Sequence, residues 1–331
     1  MKIRFIPYQP HCFAFGGFEI QMLAAFDAIS GLDADIKKLD WWSRDRNFDI
    51  AHCWGLDLAN YENVKWAKRS GKKVIVTALV GYYETAIQKL KFNISSQIYK
   101  ERLIKEMAVN IDGFIVLNAL QGKIIHEHYK IPYDRIFVVP NIVHESFFEY
   151  SKSENQDQNY TLIVGNVCKR KNQLNLAKAC IQAGIELVII GPVIGGEEEY
   201  GKQLELLISD QPNIKWIKGL PENSPELLSY YRKCHIFALP SFVEQQPISL
   251  LEAAVLKKPL LISDLAYGKQ EFYKNSYLVN PNSISSIKDG LLAIHQSYES
   301  YLPDPERLQS CTSENVGKAY VSAYKSILGV H

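Results

Sequence analysis

Two short segments of the chain combine charged side chains with residues that end buried strands. In the first, Gly165 closes an apolar run, and Lys169, Arg170 and Lys171 follow before a helical pattern begins near Asn172. Fixed cations and the free backbone N–H groups of a helix N-terminus both attract anions. The segment therefore predicts a diphosphate site, and a basic loop that only keeps the surface soluble is the alternative.

The second segment carries two carboxylates. A strand pattern ends before Pro240, Glu244 lies in the loop that follows, and Glu252 comes about one turn into a helix that begins near Pro247 or Ile248. A carboxylate can accept two hydrogen bonds from a vicinal diol, as the acidic residue of dinucleotide-binding folds does with ribose. Glu252 is thus a candidate ribose ligand, whereas an acid that only complements the helix dipole is the alternative.

The elements that must position these residues follow from the apolar pattern. The apolar runs do not alternate with polar residues, which is typical of strands covered on both faces, and helical patterns separate them. We therefore predict an α/β fold of doubly wound parallel sheets. The expected strands lie at 2–7, 48–53, 72–79, 112–118 and 135–140, and then at 160–165, 186–191, 213–219, 235–240, 259–263 and 277–279.

A polar stretch near the middle of the chain predicts two domains. Residues 149–158 are nearly free of aliphatic side chains, which is typical of a linker. We expect a Rossmann-like acceptor domain at 1–148 and a Rossmann-like donor domain at 159–312, with a helix at about 314–331 packing back on the first. Because such domains bind ligands at the carboxyl ends of their strands, we expect a central cleft where the two sheets face each other.

The overall composition excludes several classes of protein. With 47% hydrophobic residues and a net charge of +1, the chain is neither mainly disordered nor an evident nucleic-acid binder. Its 6 cysteines have no CxxC spacing and read as reduced thiols. No apolar run reaches the roughly 18 residues that a membrane-spanning helix needs. We expect a cytoplasmic protein.

Positive charge is concentrated between residues 65 and 105. This stretch holds ten Lys or Arg residues against two acids, Glu84 and Glu101. Such an excess favours peripheral contact with an anionic membrane at its inner face, or binding of a phosphorylated acceptor. A solvated helical face is the alternative.

Taken together, the two charged segments resemble the sequence pattern of retaining glycosyltransferases of the GT-B fold, family 4 (glycosyltransferases group 1). The family pattern G-R-x4-K-G/N is matched at Gly165, Lys171 and Asn172, and its E-x7-E spacing is matched by Glu244 and Glu252. Further matches lie at Pro240, Ser241, Leu251, Ala253, Ala254 and Pro259, in GGFE at 16–19 and in VVPNIVHESFF at 138–148. The resemblance runs in order along nearly the whole chain.

This resemblance implies a hexosyltransferase that needs neither a metal nor a cofactor. It would move a sugar, with retention, from a UDP- or GDP-sugar to a hydroxyl of a glycan or lipid-linked acceptor, in surface polysaccharide or glycoconjugate synthesis. Lys171 would neutralise the leaving diphosphate, Glu244 would contact the donor sugar, and Glu252 would hold the ribose. The implied donor-binding residues are Gly165, Asn166, Lys169, Arg170, Lys171, Gln245, Gln246, Pro247, Ile248, Ser249 and Glu252.

The chain departs from the family pattern within both segments. Asn166 stands where the family has Arg, so we expect Lys169 or Arg170 to supply the missing cation. The family's EGFG becomes EQQP, in which Pro247 lacks a backbone N–H and the two glutamines offer side-chain amides instead.

Three residues of the first domain are candidates for the acceptor side of the cleft. Gly16 and Gly17 would let the backbone approach the donor phosphate or the acceptor. His52 ends the second predicted strand, where its side chain could reach the cleft, although a histidine satisfied by backbone groups at the strand end, within the fold, is the alternative.

Two other functions share this architecture. A sugar-nucleotide epimerase would eliminate and rehydrate the donor with an acid/base pair and no acceptor. A non-catalytic partner would bind a glycan or a protein, and the altered cation and glycine positions are compatible with that alternative.

Overall fold

The computed structural model describes residues 1–13, 16–82, 99–151 and 158–330. The chain forms two compact units, one made of Met1–Ile142 with Ser310–His331 and the other of Val143–Gln309. The predicted first domain, 1–148, ends later than the first unit, because a helix at Glu145–Tyr150 belongs to the second. Of the predicted linker, 152–157 lie outside the described residues.

The first unit contains a six-stranded sheet in which all neighbouring strands are parallel. The order across the sheet is β2-β1-β3-β4-β5-β6, so the progression of the chain reverses at β1. The strands are β1 (Lys2–Ile6), β2 (Asp35–Lys38), β3 (Ile50–Trp54), β4 (Lys73–Thr77), β5 (Gly113–Val116) and β6 (Ile136–Val138).

The second unit repeats this design with another six-stranded parallel sheet. Its order is β12-β11-β10-β7-β8-β9, and the progression reverses between the central neighbours β7 and β10. The strands are β7 (Tyr160–Val164), β8 (Glu186–Ile190), β9 (Ile214–Ile217), β10 (Ile236–Leu239), β11 (Leu260–Ser263) and β12 (Tyr277–Val279). The predicted fold class, two doubly wound parallel sheets, is confirmed.

Helices connect the strands in both units. They are α1 (Gly17–Ser30), α2 (Tyr61–Arg69), α3 (Tyr99–Val109), α4 (Ala119–Tyr129), α5 (Glu145–Tyr150), α6 (Gln173–Ala183), α7 (Glu198–Ile208), α8 (Pro225–Lys233), α9 (Ile248–Val255), α10 (Ile284–Gln296) and α11 (Ser313–Leu328).

Two hydrophobic cores cover the two faces of the first unit's sheet. Alternate residues of β3 enter different cores, with Ala51 and Cys53 in one and Ile50 and Trp54 in the other. Helices α2, α3 and α4 contribute to the first core, and α1 and α11 to the second. Burial on both faces explains why the predicted strands are apolar throughout.

One strand, β2, was not predicted from the sequence. Its residues are Asp-Ile-Lys-Lys, and only Ile36 is buried. β2 lies at the edge of the sheet beside β1, where exposed charged side chains are tolerated and discourage pairing with other chains. It therefore carries little of the apolar signal on which strand prediction depends.

Candidate functional site

The two charged segments follow two strands that are neighbours in the second unit's sheet. β7 and β10 pair in parallel, so the loops that follow them leave from the same edge. The order of the strands reverses between these two, and ligands of open α/β sheets bind outside the carboxyl ends of the strands at such a reversal. The sheet thus brings together the basic loop and the acidic loop.

The basic loop folds closely over two glycines. Gly165 and Gly191 have φ angles of 137° and 150°, which L side chains rarely adopt. A Cβ on Gly165 would lie 3.1 Å from Cε of Lys171, and one on Gly191 would lie 2.2 Å from the Gly165 carbonyl oxygen. Gly165 therefore leaves room for the Lys171 side chain at the end of β7, and Gly191 leaves room for the backbone of Gly165.

Asn172 joins the basic loop to its neighbours. It has a left-handed backbone, with φ 64°, at the end of the short helical turn Lys169–Lys171. Its side-chain amide donates to the carbonyl oxygens of Pro240, at 2.9 Å, and Pro281, at 2.8 Å. One buried side chain therefore links the loops that follow β7, β10 and β12.

Two cations converge on one oxygen of Glu244. Nζ of Lys171 lies 2.9 Å from Oε1 of Glu244, and Nη1 of Arg170 lies 2.7 Å from the same atom. The hydroxyl of Ser241 also donates to this oxygen, at 3.1 Å. Lys171 and Glu244 are 8% and 9% exposed, so water screens this pair poorly. The arrangement places two positive groups where they can bind one anion, and in this structure that anion is the Glu244 carboxylate.

The loop that holds Arg170 is also fixed through its backbone. The Arg170 carbonyl accepts from the N–H of Phe242, at 2.8 Å, and its Nη1 donates to the Val243 carbonyl, at 2.9 Å. Arg170 shares an anionic partner with Lys171, and the expectation that it replaces the family's arginine stays a prediction. Asn166 itself uses its carbonyl to accept from the Gln173 side chain, at 3.0 Å, and Lys169 is exposed.

Glu252 lies on α9 and is paired with a tyrosine. Its Oε2 accepts from the hydroxyl of Tyr231 on α8, at 2.6 Å. Burial disfavours the charged form and raises the pKa of Glu252 to about 7, while the hydrogen bond from Tyr231 acts in the opposite direction. A carboxyl group with this pKa changes charge near neutral pH.

The EQQP loop is held by a glutamine from another segment. Gln246 is 3% exposed and donates through Nε2 to Oε1 of Gln270, at 3.0 Å, and Gln270 donates in turn to the Gln245 carbonyl. Pro247 occupies the N-cap position of α9, where the helix needs no donor from it. Ile248 is the first helical residue, and Ser249 hydrogen-bonds the Tyr231 hydroxyl.

The predicted glycines of the first unit lie at the start of α1. Gly16 is its N-cap, and its N–H donates to Oε2 of Glu19, at 2.9 Å. The other oxygen of Glu19 accepts from Gln9, at 2.9 Å. Among the residues that the structure describes, none apart from neighbours along the chain lies within 4 Å of a Cβ placed on Gly17. The role predicted for these glycines stays a prediction.

His52 is a core residue, and the structure corrects its assignment to the acceptor side. Its side chain is 0% exposed, and both ring nitrogens have partners at 2.8 Å, the hydroxyls of Tyr324 and Thr77. Burial lowers the pKa of His52 to about 3. The alternative interpretation, a histidine satisfied within the fold, is the right one, although side-chain hydroxyls rather than backbone groups are its partners.

Sequence reasoning missed Tyr231 and Gln270. Tyr231 lies on α8 and contacts Glu252 of α9, 21 residues away. Gln270 lies in the segment after β11 and contacts Gln245 of the acidic loop, 25 residues away. In the sequence Tyr231 looks like an apolar position of an amphipathic helix, and nothing nearby marks its hydroxyl as functional.

Several cations of the basic stretch at 65–105 are paired with acids. Lys68 and Lys73 contact Asp112 at 2.8 and 3.4 Å, and Lys100 contacts Asp57 at 2.8 Å. The unpaired charge of this surface is therefore smaller than the count of basic residues suggests. Residues 83–98, with two further lysines, lie outside the described part of the chain.

Three further observations bear on the predicted class of protein. Within the described ranges, no helix is both long and apolar enough to cross a membrane. In the same ranges, no three His, Cys, Asp or Glu side chains are grouped as metal ligands. All 6 cysteines are free thiols, and only Cys12 is exposed.

Comparison with known proteins relates the chain to enzymes that transfer sugars. Residues 144–308 match the family of glycosyl transferases group 1. The chain is 22% identical over 288 residues to the alpha-galactosylglucosyldiacylglycerol synthase of Streptococcus pneumoniae, covering 76% of this chain and 73% of that protein. Two other relatives are each 26% identical, and the matches span only 39% and 56% of their lengths.

Solved structures share the fold along the whole chain. The sucrose-phosphate synthase of Thermosynechococcus elongatus aligns with a TM-score of 0.76 at 14% identity, covering 99% of both chains. Alr3699/HepE of Anabaena, in complex with UDP and glucose, aligns with a TM-score of 0.74 at 11% identity, covering 98% of this chain and 100% of that one. At these identities the likeness concerns the fold.

Proposed function

We propose that the chain is a glycosyl transferase of group 1, the family that residues 144–308 match. In this proposal it transfers a hexose from a nucleoside-diphosphate sugar to a hydroxyl group with retention at the anomeric carbon. The reaction breaks the bond between the anomeric carbon and the diphosphate oxygen and forms a bond to the acceptor oxygen, whose hydroxyl proton is released. Negative charge builds on the departing diphosphate, and positive charge builds on the sugar ring.

The observation that carries this proposal is the convergence of Lys171 and Arg170 on Oε1 of Glu244 at 2.9 and 2.7 Å. A fixed cation that is shielded from water stabilises a developing anion by about 3–4 kcal/mol. Lys171 is shielded in this way, whereas the Arg170 side chain is exposed and contributes less. Both cations follow β7 at the reversal of the sheet, where a diphosphate is expected. They offer the charge that a divalent metal supplies in other transferases.

In this proposal Glu244 changes partners when the donor binds. The diphosphate replaces the carboxylate on Lys171 and Arg170, because a dianion attracts the two cations more strongly than a single carboxylate. The released Glu244 then faces the donor sugar, where it accepts from sugar hydroxyls or stabilises the positive ring.

Glu252 binds the ribose of the donor in the same proposal. Oε2 is engaged by Tyr231 at 2.6 Å, and Oε1 remains to accept from a diol. The donor-binding residues predicted from the sequence, including Lys169, Gln245, Gln246, Pro247, Ile248 and Ser249, lie on the two loops or at the start of α9.

The relatives suggest the chemical class of the substrates. The Streptococcus pneumoniae relative is named as the synthase of a glycosylated diacylglycerol, and the Anabaena structure contains UDP and glucose. We therefore place UDP-hexose first among the donors, with GDP-hexose second, and a glycan or lipid-linked acceptor in glycoconjugate or polysaccharide synthesis. The glycines at 16 and 17 remain candidates for the acceptor or phosphate side.

The experiment that tests this proposal screens donors on the purified protein. UDP, GDP and ADP are compared by thermal shift, and the matching hexose donors are then incubated with and without simple glycan and glycolipid acceptors in the presence of EDTA. We expect one nucleoside diphosphate to raise the melting temperature and its donor to be consumed only with an acceptor, giving a product of retained configuration. Epimer formed without acceptor, or an inverted product, would contradict the proposal.

Peripheral membrane contact through residues 65–105 is a separate part of the proposal. Arg69, Lys72, Arg102 and Lys105 are the described basic residues of this stretch that have no ion pair with an acid. Co-sedimentation with vesicles of anionic and of neutral lipid tests it. We expect binding to the anionic vesicles that weakens as salt is raised, and equal binding to both would contradict an electrostatic contact.

A further inference from the structure

A buried tyrosine hydroxyl holds one oxygen of the proposed ribose ligand. Tyr231 is 0% exposed, and its hydroxyl donates to Oε2 of Glu252 at 2.6 Å, a short distance typical of a hydrogen bond to a charged acceptor. Ser249, one turn from Glu252 on α9, hydrogen-bonds the same hydroxyl. The tyrosine therefore connects α8 to the start of α9.

The ring of Tyr231 is fixed by two aromatic neighbours. It stacks on Phe237 of β10, with ring centres 5.4 Å apart and planes 10° apart. Phe147 of α5 meets its ring edge-on, at 5.3 Å and 88°. A ring enclosed in this way cannot turn its hydroxyl to another partner without opening the core.

The two oxygens of the Glu252 carboxylate are in different situations. Oε2 has the tyrosine hydroxyl, whereas no donor in the described part of the chain contacts Oε1. Glu252 is also only half-buried, in contrast to its neighbours on either side, Leu251 and Ala253. One oxygen is thus anchored and the other is left to accept from a ligand.

We propose that Tyr231 is a positioning residue, which orients the Glu252 carboxylate so that Oε1 accepts from the ribose hydroxyls of the donor nucleotide. This inference rests on the proposed function, since it presumes a nucleotide at this site. In this role Tyr231 touches no substrate itself. The role is inferred from the packing of Tyr231 against Phe147, Phe237 and Glu252, and no sequence pattern indicates it.

The hydrogen bond has a second consequence, for the charge of Glu252. The groups that face this carboxyl are Tyr231 on α8 and Glu222 in the segment before that helix. Burial and, to a smaller extent, Glu222 raise the pKa of Glu252, and the Tyr231 hydroxyl lowers it. Removal of this hydroxyl therefore favours the protonated acid, which accepts hydrogen bonds less well.

The test compares ribonucleotide with 2′,3′-dideoxynucleotide in a Tyr231→Phe variant. Phenylalanine keeps the ring contacts and removes only the hydroxyl. We measure the Kd of UDP and GDP and of their dideoxy analogues by calorimetry from pH 6 to 8.5. We expect the variant to bind the preferred ribonucleotide about tenfold more weakly at pH 7, as for the loss of one hydrogen bond to a charged group, and the dideoxy analogue unchanged. The weakening should diminish as the pH rises.

Tyr230→Phe is the matched control. Tyr230 is the adjacent residue on α8, and its hydroxyl contacts Lys215 at 2.9 Å, far from Glu252 in the hydrogen-bond network. We expect ribonucleotide affinity in this variant to equal that of the unaltered protein. In a Glu252→Gln background, Tyr231→Phe should have little further effect on the ribonucleotide, because the charged acceptor is already gone.

Two results overturn the inference while the proposed function stands. The first is that Tyr231→Phe binds UDP or GDP with the same affinity as the unaltered protein. The second is that its affinity for the dideoxy analogue falls as much as its affinity for the ribonucleotide, which indicates a general structural defect. If the unaltered protein binds no nucleoside diphosphate, both the inference and the proposed function fail.

Discussion

Among the single side chains of the site, Glu244 sets the charge that an incoming anion meets. One oxygen of its carboxylate forms ion pairs with both Lys171 and Arg170. Glu244→Gln removes the competing negative charge, so we expect UDP or GDP, whichever binds, to bind several-fold more tightly while sugar transfer falls. Calorimetry with the diphosphate and turnover with the matching donor measure the two effects. Weaker diphosphate binding in this variant would mean that the carboxylate does not occupy the anion site.

Lys171 should matter most for the departure of the diphosphate. Lys171→Ala removes a cation that is 8% exposed, and we expect kcat to fall by about 10²–10³, as for other fixed groups that stabilise a developing anion. Lys178→Ala, on the exposed face of α6, makes the same change of charge and should retain full activity. Equal activity of the two variants, measured as donor turnover at saturating acceptor, would remove Lys171 from the mechanism.

Glu252 illustrates a conflict between stability and binding. Its folded-state pKa is about 7 instead of 4.5, so the fold favours the protonated acid. The contribution of this group to stability is therefore fully present below about pH 4.5 and is lost as the pH rises through about 7. We expect Glu252→Gln to melt at a higher temperature than the unaltered protein at pH 8, but not at pH 4.5, and to bind the donor more weakly. A lower melting temperature at pH 8 would contradict this account.

At this same scale, the sequence predicted the charged residues of the site better than their partners. Lys171, Glu244 and Glu252 follow strand-to-loop patterns that can be read locally. Tyr231 and Gln270 act through contacts with residues 21 and 25 positions away along the chain, which form only when those segments pack. The assignment of His52 was wrong for the related reason that a residue at a strand end does not reveal which core it enters.

Among the structural elements, the basic loop and the acidic loop are joined by the side chain of Asn172. Its amide satisfies the buried carbonyls of Pro240 and Pro281, and its backbone is left-handed. We expect Asn172→Ala to lose about 2–3 kcal/mol of the free energy of unfolding, because two acceptors lose their donor and alanine resists this conformation. Denaturant unfolding of the full chain, followed by a probe of the second unit, measures the loss.

Asn172→Gly separates the two causes of that loss. Glycine adopts the left-handed backbone without strain but cannot donate to either carbonyl. We therefore expect Asn172→Gly to be about 1 kcal/mol more stable than Asn172→Ala and still less stable than the unaltered protein. Equal free energies of unfolding for all three proteins would show that Asn172 does not contribute to stability.

The elements themselves were predicted with uneven success. Eleven strands were expected, and each is found, because strands covered on both faces carry a continuous apolar signal. The remaining strand, β2, was not predicted, because only one of its residues is buried and the others are charged. Its formation depends on pairing with β1 rather than on its own composition. Helix α11 was predicted to start within two residues of its observed first residue, Ser313.

On the scale of the whole molecule, the first unit is built from both ends of the chain. Val316, Tyr320 and Tyr324 of α11 are buried in one of its cores, and Tyr324 contacts His52. Deletion of residues 310–331 should therefore make residues 1–142 sensitive to limited proteolysis, while residues 143–309 resist it and still bind the nucleoside diphosphate. Mass spectrometry identifies the fragments. If both parts of the shortened chain resist the protease, the packing of α11 in a core of the first unit is contradicted.

The central claim is that a nucleoside diphosphate replaces Glu244 on Lys171 and Arg170 and rests its ribose on Glu252. The most direct measurement is a crystal structure of this protein with UDP or GDP bound. We predict diphosphate oxygens at about 2.7–2.9 Å from the Lys171 and Arg170 nitrogens, and ribose hydroxyls at a similar distance from Oε1 of Glu252. A nucleotide bound elsewhere, with Lys171 still paired to Glu244, would contradict the account.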